Sequence, residues 1–570
     1  MNKINNREIW WKKAIGYIIY PRAFKDSNND GVGDLGGLIS KLDYLHDLGV
    51  NLLWICPFFK SPMDDNGYDV SDYREIDPLF GTNADFDLLI NEAHKRNIKI
   101  VVDFVLNHTS DEHPWFIEAR HNPQSPKRDY YIFKPPLFKE GKRCPPNNWK
   151  GFFSTSAWSY DETSGMYYMH IFSSKMPDVN WANPALREEY YRIAKYYLDK
   201  GVDGFRLDAL AHLARDMTFH DSLKNIDENG LAFDYSKYSN RPELFEYMLE
   251  YKQRVLAKYD CVTIGEVGGG ITPEQSLKLS GYQDGSINMV FNFDTAWQNG
   301  AFGSIDKKDD ELVTDVVELK KNFLRWYNLC NGKAWLPLYW TNHDHPRVVS
   351  QYGNIKYREA SAKMLITVLL FMYGTPFIYY GDEIGMSNVD YQSLEDFNDV
   401  GARNYLKENA NRFTEEQFLR HLRRTSRVNN RTPMQWSDEP FAGFSIVTPS
   451  QRVNGNYREV NVRKQLGEPH SIFNFYRRAI ALRKTPELEE AVLNGSFSII
   501  DINNKDAFVY AHERPNPILV IANFRARQIS FPIDCIIKRV LLHNYDDELR
   551  NEKEVTLRPF ECYLLSITNK

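Results

Sequence analysis

The chain has 570 residues, enough for two to four domains and a large buried core, because a domain usually holds about 100–200 residues. Its 70 Lys and Arg against 76 Asp and Glu give a formal charge of -6, so we expect no binding to nucleic acid or to anionic membranes. The longest apolar stretch, residues 364–373, is too short to cross a bilayer. The first 16 residues lack the apolar core of a secretory signal, so we expect a cytoplasmic protein.

Eight short apolar runs recur along the chain, separated by longer amphipathic segments. They lie at residues 14–20, 52–56, 98–106, 202–207, 261–267, 287–293, 336–340 and 376–380. Near-continuous apolar runs of this length are typical of parallel strands that are buried on both faces. Eight of them predict an α/β fold, a closed (β/α)8 TIM barrel. An open doubly wound sheet is the alternative, but no glycine-rich nucleotide-binding motif follows the first run.

The loop after the first run reads DSNNDGVGD and clusters oxygen-bearing side chains around glycines. Asp26, Asn28, Asp30 and Asp34 are hard ligands of the kind that bind Ca²⁺ or Mg²⁺. The loop is not an EF-hand, because the twelfth position is Gly37 and not an acid. An Asx-rich turn without an ion is the alternative, and the residues alone leave both open.

The third run, VVDFVLNH, places Asp103 and Asn107 on one face and brings His108 to its end. We expect Asp103 to pair with Arg206 beneath a site at the barrel mouth. His108 is either a site residue or a buried core histidine, and its spacing does not decide between the two.

Two long segments divide the chain into domains. About 95 residues separate the third and fourth runs, far more than a usual βα loop of about 2–6 residues. They predict an inserted domain at 109–176, rich in Pro, Trp, Tyr and Phe, that walls one side of the cleft. Near the C-terminus, FSIIDI, AFVYAH, ILVIANF, RVLLHN and ECYLLSI predict an antiparallel β-domain at 489–570. The barrel then comprises residues 1–108 and 177–488.

A carboxylate lies at or shortly after the end of the fourth, fifth and seventh runs. Arg206 and Asp208 share a face of GFRLDA, where the guanidinium should lower the pKa of Asp208, as suits a nucleophile. Glu266 ends TIGEV without an adjacent arginine, and repulsion from the other carboxylates should raise its pKa, as suits a general acid. TNHDHPR adds His343 and Asp344. Two carboxylates in different environments are typical of glycoside cleavage.

Polar residues also follow the eighth run. Asp382 and Glu383 come directly after it, so the barrel prediction places them at the same end as the three carboxylates.

The segments DFVLNH, GFRLD, GEV and TNHDHPR, in this order, resemble the α-amylase superfamily of glycoside hydrolases over nearly the whole chain. SPMDDNGYDVSDY and RTPMQW resemble the oligo-1,6-glucosidase and α-glucosidase subfamily within it. The resemblance implies an exo-acting, retaining α-glucosidase that releases α-D-glucose from short oligosaccharides. It implies no redox or organic cofactor, and it leaves monomer and dimer open.

The resemblance also implies roles for particular residues. Asp208 is the nucleophile, Glu266 the general acid/base and Asp344 the transition-state stabiliser. Substrate-binding positions map onto Asp65, Tyr68, His108, Arg206, His343 and Arg431. In the subfamily, the second Asp of DDNGY pairs with the Arg of RTPMQW and closes the glucose pocket, which here implies a pair of Asp65 with Arg431.

A structural Ca²⁺, or Mg²⁺, is implied as well. The metal loop of the family matches Asp26, Asn28, Asp30 and Asp34, with the backbone carbonyl of Val32 as a further ligand.

The sequence departs from the subfamily pattern at three positions. Met176 replaces a glutamine near the bound sugar, His345 stands where a glutamine is usual, and Val428 interrupts the usual RDNARTP. Ala209 follows the nucleophile, where the family tends to carry Val for α-1,6 bonds and Ala or Thr for α-1,4 bonds. Ala209 therefore favours maltose-type substrates.

Other activities on the same scaffold are alternatives: an oligo-1,6-glucosidase or dextran glucosidase, a transglycosylase or isomerase, and a trehalose-6-phosphate hydrolase. A non-catalytic binding module is disfavoured, because all three carboxylates are present.

Overall fold

The computed structural model describes residues 9–153, 155–294, 305, 312–545 and 553–568. The predicted ends of the first and last domains, at residues 1 and 570, lie outside the described residues. Residues 1–8 of the N-terminal segment, which is expected to lack a secretory signal, also lie outside the described residues.

Eight parallel strands form one barrel-like sheet, as predicted. They are β1 (Gly16–Ile19), β2 (Leu52–Ile55), β3 (Lys99–Val105), β4 (Gly204–Asp208), β5 (Val262–Glu266), β6 (Met289–Phe291), β7 (Pro337–Tyr339) and β8 (Thr375–Tyr379). The hydrogen-bonded order is β6-β5-β4-β3-β2-β1-β8-β7. The rings of Phe291 on β6 and Tyr339 on β7 lie 4.8 Å apart, so side chains bridge the remaining gap in a nearly closed barrel.

Each barrel strand is followed by a helix that covers it. These helices are Leu42–Leu48, Asn83–Lys95, Pro184–Asp199, Pro242–Arg254, Pro273–Ser280, Val316–Cys330, Arg358–Leu370 and Ile472–Arg483. In Pro184–Asp199 the Asn183 side chain accepts a hydrogen bond from the first turn, and Pro184 occupies a position where no N–H is needed. Leu186, Tyr190, Ile193 and Tyr197 recur at helical spacing and are buried.

The insertion after β3 has its own small apolar core. It contains the helix Pro114–His121 and the strands Phe133–Lys134, Leu137–Lys139, Lys142–Cys144, Trp158–Asp161 and Met166–Met169. Trp149 and Trp158 pack there with Phe219 and Tyr238, which come from the segment after β4. Two separate stretches of chain therefore build this side of the cleft.

A second excursion, which the apolar runs do not predict, follows β8. It contains the helices Val400–Glu408 and Glu415–Thr425 and an apolar cluster that includes Tyr391, Phe397, Leu422 and Val428. This segment forms a further wall of the cleft, because Ala402, Leu422 and Arg427 all line it.

The C-terminal region is antiparallel, as predicted, with two strands more than expected. Its strands are β9 (Phe497–Ile500), β10 (Ala507–His512), β11 (Ile518–Asn523), β12 (Ile529–Pro532), β13 (Ile536–His543), β14 (Glu554–Leu557) and β15 (Cys562–Thr568). A sheet runs β9-β10-β11-β15-β13, and β12 pairs with β14. The predicted domain boundary at 488 falls inside the helix Pro486–Asn494 that precedes β9.

One face of this sheet packs directly on the barrel helices. Phe508, Tyr510 and Leu564 belong to the same apolar cluster as the barrel core, whereas Val509 on the other face belongs to a separate cluster. Lys320, on the helix after β6, donates hydrogen bonds to three backbone carbonyls of the β9–β10 region at 2.8, 2.8 and 3.0 Å. The sheet is thus joined to the barrel by apolar packing and by a buried ammonium group.

In the described part of the chain, helices long and apolar enough to cross a membrane are absent.

Candidate active site

A cavity of about 620 Å³ opens at the carboxyl ends of the barrel strands. Asp208 ends β4 and Glu266 ends β5, while Asp344 follows β7, and all three line the cavity. The other predicted residues on its wall are Asp65, Tyr68, His108 and His343. The folded chain thus brings together side chains that lie up to 279 positions apart in the sequence.

A single guanidinium joins three carboxylates beneath the cavity. Arg206 Nη1 lies 2.7 Å from Asp103 Oδ1 and 2.6 Å from Asp208 Oδ1, and Nη2 lies 2.8 Å from Glu266 Oε2. The pairing of Asp103 with Arg206 was expected, but the expectation that Glu266 has no adjacent arginine is wrong. Arg206 sits beside Ile264 across the β4–β5 ladder, so the side chain of Glu266, two residues on, faces the same interior.

Arg206 lowers the pKa of Asp208, as predicted, but burial outweighs it, so the expected net lowering is wrong. Burial raises the pKa of Asp208 well above its usual range, and the charges of Glu266 and Asp103 add to this, while Arg206 opposes it. Burial likewise raises the pKa of Asp103 to about 6. Asp103 and Asp208 are buried and share one cation, so these two carboxyl groups retain a proton more readily than separate carboxylates would.

Asp344 lies in the opposite electrostatic environment. Its carboxylate is 3.2 Å from His343 Nε2, 3.1 Å from Arg427 Nη1 and 3.0 Å from Arg431 Nη2. Burial alone would raise the pKa of Asp344. The basic neighbours lower this pKa by more than burial raises it, so the net pKa lies well below the usual range. Burial keeps His343 neutral by lowering its pKa, so the two guanidiniums hold Asp344 ionised. A permanent anion here suits the stabilisation of developing positive charge.

The implied pair of Asp65 with Arg431 is corrected by the structure. Asp65 Oδ1 lies 3.4 Å from Nη2 of Arg427, four residues earlier, and Arg427 also contacts Asp344 and Asp399. Arg431 instead donates from Nε to the His343 carbonyl at 3.0 Å and contacts Asp344. Arg427 is therefore the cation that joins Asp65, Asp344 and Asp399 on the cavity wall.

Replacing Arg427 by Met is expected to lower the free energy of unfolding by about 3–5 kcal/mol, because Asp65 and Asp399 would stay buried without their cation. Chemical denaturation monitored by fluorescence measures the change. Arg427→Lys is the matched control, since it keeps the charge but not the three-way contact, and it should recover part of the loss. An unchanged free energy of unfolding in Arg427→Met would contradict the bridging role.

A stacked pair of rings forms the floor of the pocket. Tyr68 and His343 stack with centroids 5.3 Å apart, and the Tyr68 hydroxyl lies 2.6 Å from His343 Nε2 and 3.1 Å from Asp103 Oδ2. His108 lines the cavity, and burial lowers its pKa to about 3, so the ring is neutral. Its buried Nε2 has no hydrogen-bond partner among the described residues. A polar group of a bound ligand would supply that partner.

Several cavity residues were not predicted individually. Phe152, Phe153 and Phe172 come from the insertion, Tyr235 and Phe293 from loops after β4 and β6, and Asp399 from the excursion after β8. The aromatic richness of the insertion was the available signal, because aromatic faces pack well against sugar rings. For Asp399 we find no signal in the sequence.

The three departures from the subfamily pattern, and Ala209, have defined places in the structure. Met176 lines the cavity, so a thioether stands on the wall where the subfamily has an amide. His345 Nδ1 lies 2.7 Å from Asn342 Oδ1, and Val428 packs in the apolar cluster behind Arg427. Ala209 lines the cavity with a positive φ of 47°, and its N–H donates to Glu266 Oε2 at 2.8 Å.

The predicted metal loop is organised by its own backbone. The two Asp26 oxygens accept hydrogen bonds from the Asn29 and Gly31 N–H groups at 2.7 and 2.9 Å, and Asp34 caps the helix that follows. Within the described ranges, no three His, Cys, Asp or Glu side chains are placed so that they could hold a metal. The donor types of the loop fit Ca²⁺, and its internal hydrogen bonds also occur in Asx-rich turns.

The chain is similar to known proteins by family model, by sequence and by structure. A model of the α-amylase catalytic domain matches residues 18–491. The chain is 44% identical to an oligo-1,6-glucosidase of Parageobacillus thermoglucosidasius, covering 98% of this chain and 99% of that protein. A trehalose-6-phosphate hydrolase structure from Bacillus licheniformis matches with a TM-score of 0.89 at 36% identity, covering 98% and 100% of the two chains. An isomaltulose synthase variant of Erwinia rhapontici NX5, solved with its natural substrate sucrose, matches with a TM-score of 0.92 at 36% identity, covering 99% and 100%.

Proposed function

This chain belongs to the α-amylase family of glycoside hydrolases, and from that premise we propose that it is a retaining α-glucosidase. It would release α-D-glucose from the nonreducing end of short α-glucosides. The observation that carries the proposal is the placement of Asp208, Glu266 and Asp344 around one cavity, with Arg206 joining the first two.

The geometry supports a double displacement. Retaining glycosidases hold their two carboxyl groups about 5–5.5 Å apart, a spacing that suits two carboxylates bridged by one guanidinium. Arg206 holds Asp208 by Oδ1, which leaves Oδ2 to attack the anomeric carbon. Both contacts of Glu266 fall on Oε2, which leaves Oε1 to protonate the departing oxygen and later to take a proton from water. Hydrolysis of the glycosyl ester then frees Asp208.

The closed end of the pocket supports exo action. Arg427 joins Asp65 on one wall to Asp344 on another, and we infer that this ion-pair network closes the pocket beyond the nonreducing glucose. A chain could enter by one terminal residue only. Cleavage would therefore remove one glucose at a time.

We propose that α-1,4 bonds are preferred, and α-1,6 cleavage is the second candidate. The methyl group of Ala209 on the cavity wall leaves room beside the leaving sugar, which supports the first. The 44% identity to a named oligo-1,6-glucosidase supports the second. Initial glucose release from maltose and isomaltose at matched concentrations tests the proposal, with Asp208→Asn as the inactive control. Faster release from isomaltose would overturn the α-1,4 preference, and release from neither would overturn the activity.

Ala209→Val is expected to shift the maltose-to-isomaltose rate ratio towards isomaltose, because one side chain of this size changes discrimination by about 1–3 kcal/mol. The same change should also lower stability, because the positive φ of residue 209 is much less favourable for the β-branched Val than for Ala. Paired kcat/KM values and a melting curve measure the two effects. Ala209→Ser, which is smaller and not branched, is the control, and an equal ratio in both variants would place the selector elsewhere.

We propose further that the loop around Asp26 and Asp34 binds a structural Ca²⁺ or Mg²⁺. The donor types support this, and none of the loop residues lines the cavity, so the ion would take no part in the chemistry.

Chelation is expected to lower the melting temperature by a few degrees without changing the initial rate at 25 °C, because an ion bound only by the folded chain stabilises it. Calorimetry with EDTA, and then with added Ca²⁺, measures this. Asp30→Ala, which removes an exposed donor of the loop, should abolish the effect of Ca²⁺. A melting temperature that EDTA and Ca²⁺ leave unchanged would favour the ion-free turn.

A further inference from the structure

Cys56 lies behind the Tyr68–His343 pair that forms the floor of the pocket, and it has no role in the mechanism above. It directly follows β2, at the end of the barrel that carries the carboxylates, and its side chain is fully buried. Its Sγ lies 3.5 Å from His343 Nδ1, which is within hydrogen-bonding distance for sulfur. Cys56 therefore contacts the ring nitrogen of His343 that does not meet Asp344.

The contacts of the other ring nitrogen show where the proton of His343 lies. Nε2 is 3.2 Å from Asp344 Oδ2 and 2.6 Å from the Tyr68 hydroxyl. The two guanidiniums keep Asp344 ionised, and an ionised carboxylate can only accept a hydrogen bond, so the proton is on Nε2. Burial keeps His343 neutral by lowering its pKa, so the ring carries one proton only. Nδ1 is therefore an acceptor.

The thiol of Cys56 is the donor to this acceptor. Burial raises the pKa of Cys56 well above its usual range, so the sulfur keeps its proton and can donate it. Neither Cys56 nor His343 is more than 1% exposed, so bulk solvent does not reach the contact. A buried acceptor that loses its partner raises the free energy of the site.

Ring packing alone would not fix which nitrogen of His343 carries the proton. The imidazole lies between Tyr68 and Tyr20, with centroid distances of 5.3 and 6.3 Å, and Trp54 meets it edge-on at 6.2 Å. These contacts restrict the plane of the ring, but a neutral imidazole can carry its proton on either nitrogen. A donor at Nδ1 and an anion at Nε2 together select one tautomer.

We propose that Cys56 is a positioning residue whose thiol donates to His343 Nδ1 and so holds the imidazole with its N–H directed at Asp344. This rests on the proposed α-glucosidase function, in which Asp344 stabilises developing positive charge. Cys56 itself touches neither the substrate nor the reacting atoms. Without the thiol, His343 could carry its proton on Nδ1 and turn a lone pair towards Asp344, which would disturb the anion that the transition state needs.

Two substitutions of nearly equal volume test the role of the donor. Cys56→Ala removes it, and we expect kcat/KM to fall about 5–10-fold for whichever of maltose and isomaltose the wild type hydrolyses faster. Cys56→Ser keeps a donor and should lose less than about twofold, although its buried hydroxyl should make it no more stable than Cys56→Ala in a melting curve. Cys562→Ala removes an equally buried thiol from β15 and should leave kcat/KM unchanged.

The order of the two Cys56 variants separates the proposal from a packing role. If Cys56 only fills space, Cys56→Ser would be no more active than Cys56→Ala, and that result would overturn the proposal. An unchanged kcat/KM in Cys56→Ala would overturn it as well. If these variants do not fold, the isosteric pair Cys56→Thr and Cys56→Val decides in the same way, with Thr expected to be the more active.

The wild type distinguishes failure of this proposal from failure of the proposed function. Wild-type protein that releases glucose from neither sugar would overturn the α-glucosidase function itself. An active wild type whose Ala and Ser variants at position 56 are equally active would overturn only the role of Cys56.

Discussion

Replacing Asp208 by Asn is expected to reduce glucose release from maltose on the order of 10⁴–10⁶-fold, the range seen when hydrolases lose a nucleophile or its activating partners. The amide cannot attack the anomeric carbon, so no glycosyl ester forms. The fold should persist, because Asn keeps the shape of the side chain and its carbonyl oxygen can accept the hydrogen bond from Arg206 Nη1. Coupled glucose detection over hours, at high protein concentration, measures the residual rate.

The control for Asp208→Asn is the melting temperature of the variant, together with its affinity for maltose by calorimetry. Removing one of three carboxylates around Arg206 also removes repulsion, so stability should be equal or higher. Residual turnover above about 1% of wild type with an intact fold would sink the nucleophile assignment.

Glu266→Gln is expected to lower kcat/KM for maltose by about 10²–10⁴-fold, the usual contribution of a general acid. An aryl α-glucoside with an acidic phenol as leaving group should lose much less in the glycosylation step, because that oxygen departs without a proton. The Gln carbonyl can still accept from the Ala209 N–H and from Arg206, so the site geometry should be kept. Burst kinetics with the aryl glucoside separate the first step from the second.

Equal losses on the two substrates in the glycosylation step would contradict the role of Glu266 as the acid. Asp344→Asn serves as the comparison, because it removes an anion that the two guanidiniums keep ionised, and it should slow both substrates alike.

The barrel could be predicted because each of its strands is marked by a short run of neighbouring apolar residues. Residues 14–20 and 52–56 are apolar at nearly every position, which is typical of a strand buried on both faces. The ends of such strands meet at one end of the barrel, which is why Asp208 and Glu266 could be placed together. A position at the end of a barrel strand does not by itself place a side chain in the cavity, however. Glu383 follows β8 yet accepts hydrogen bonds from Tyr17 and Tyr44 inside the fold and does not line the cavity.

Ion pairs between side chains on distant loops could not be predicted from the sequence. Arg427 and Arg431 lie on one short 3-10 helix, and both reach Asp344, so no spacing rule shows which of them also meets Asp65. The net direction of the Asp208 pKa shift could not be predicted for the same reason. The pKa of Asp208 depends on Glu266 and Asp103, which approach through two different strands, and on a depth of burial that only the packed barrel sets.

The packing of the C-terminal sheet has a consequence for dividing the chain. Residue 494 marks a change from helix to strand but not a change of core, because Phe508, Tyr510 and Leu564 fill the same apolar cluster as the barrel. A fragment ending there would leave that barrel surface open to water, and Lys320 would lose its three carbonyl partners. The two parts should therefore unfold in one cooperative transition. Swapping the C-terminal sheet with that of a relative would succeed only if its inward-facing residues travel with their partners on the barrel.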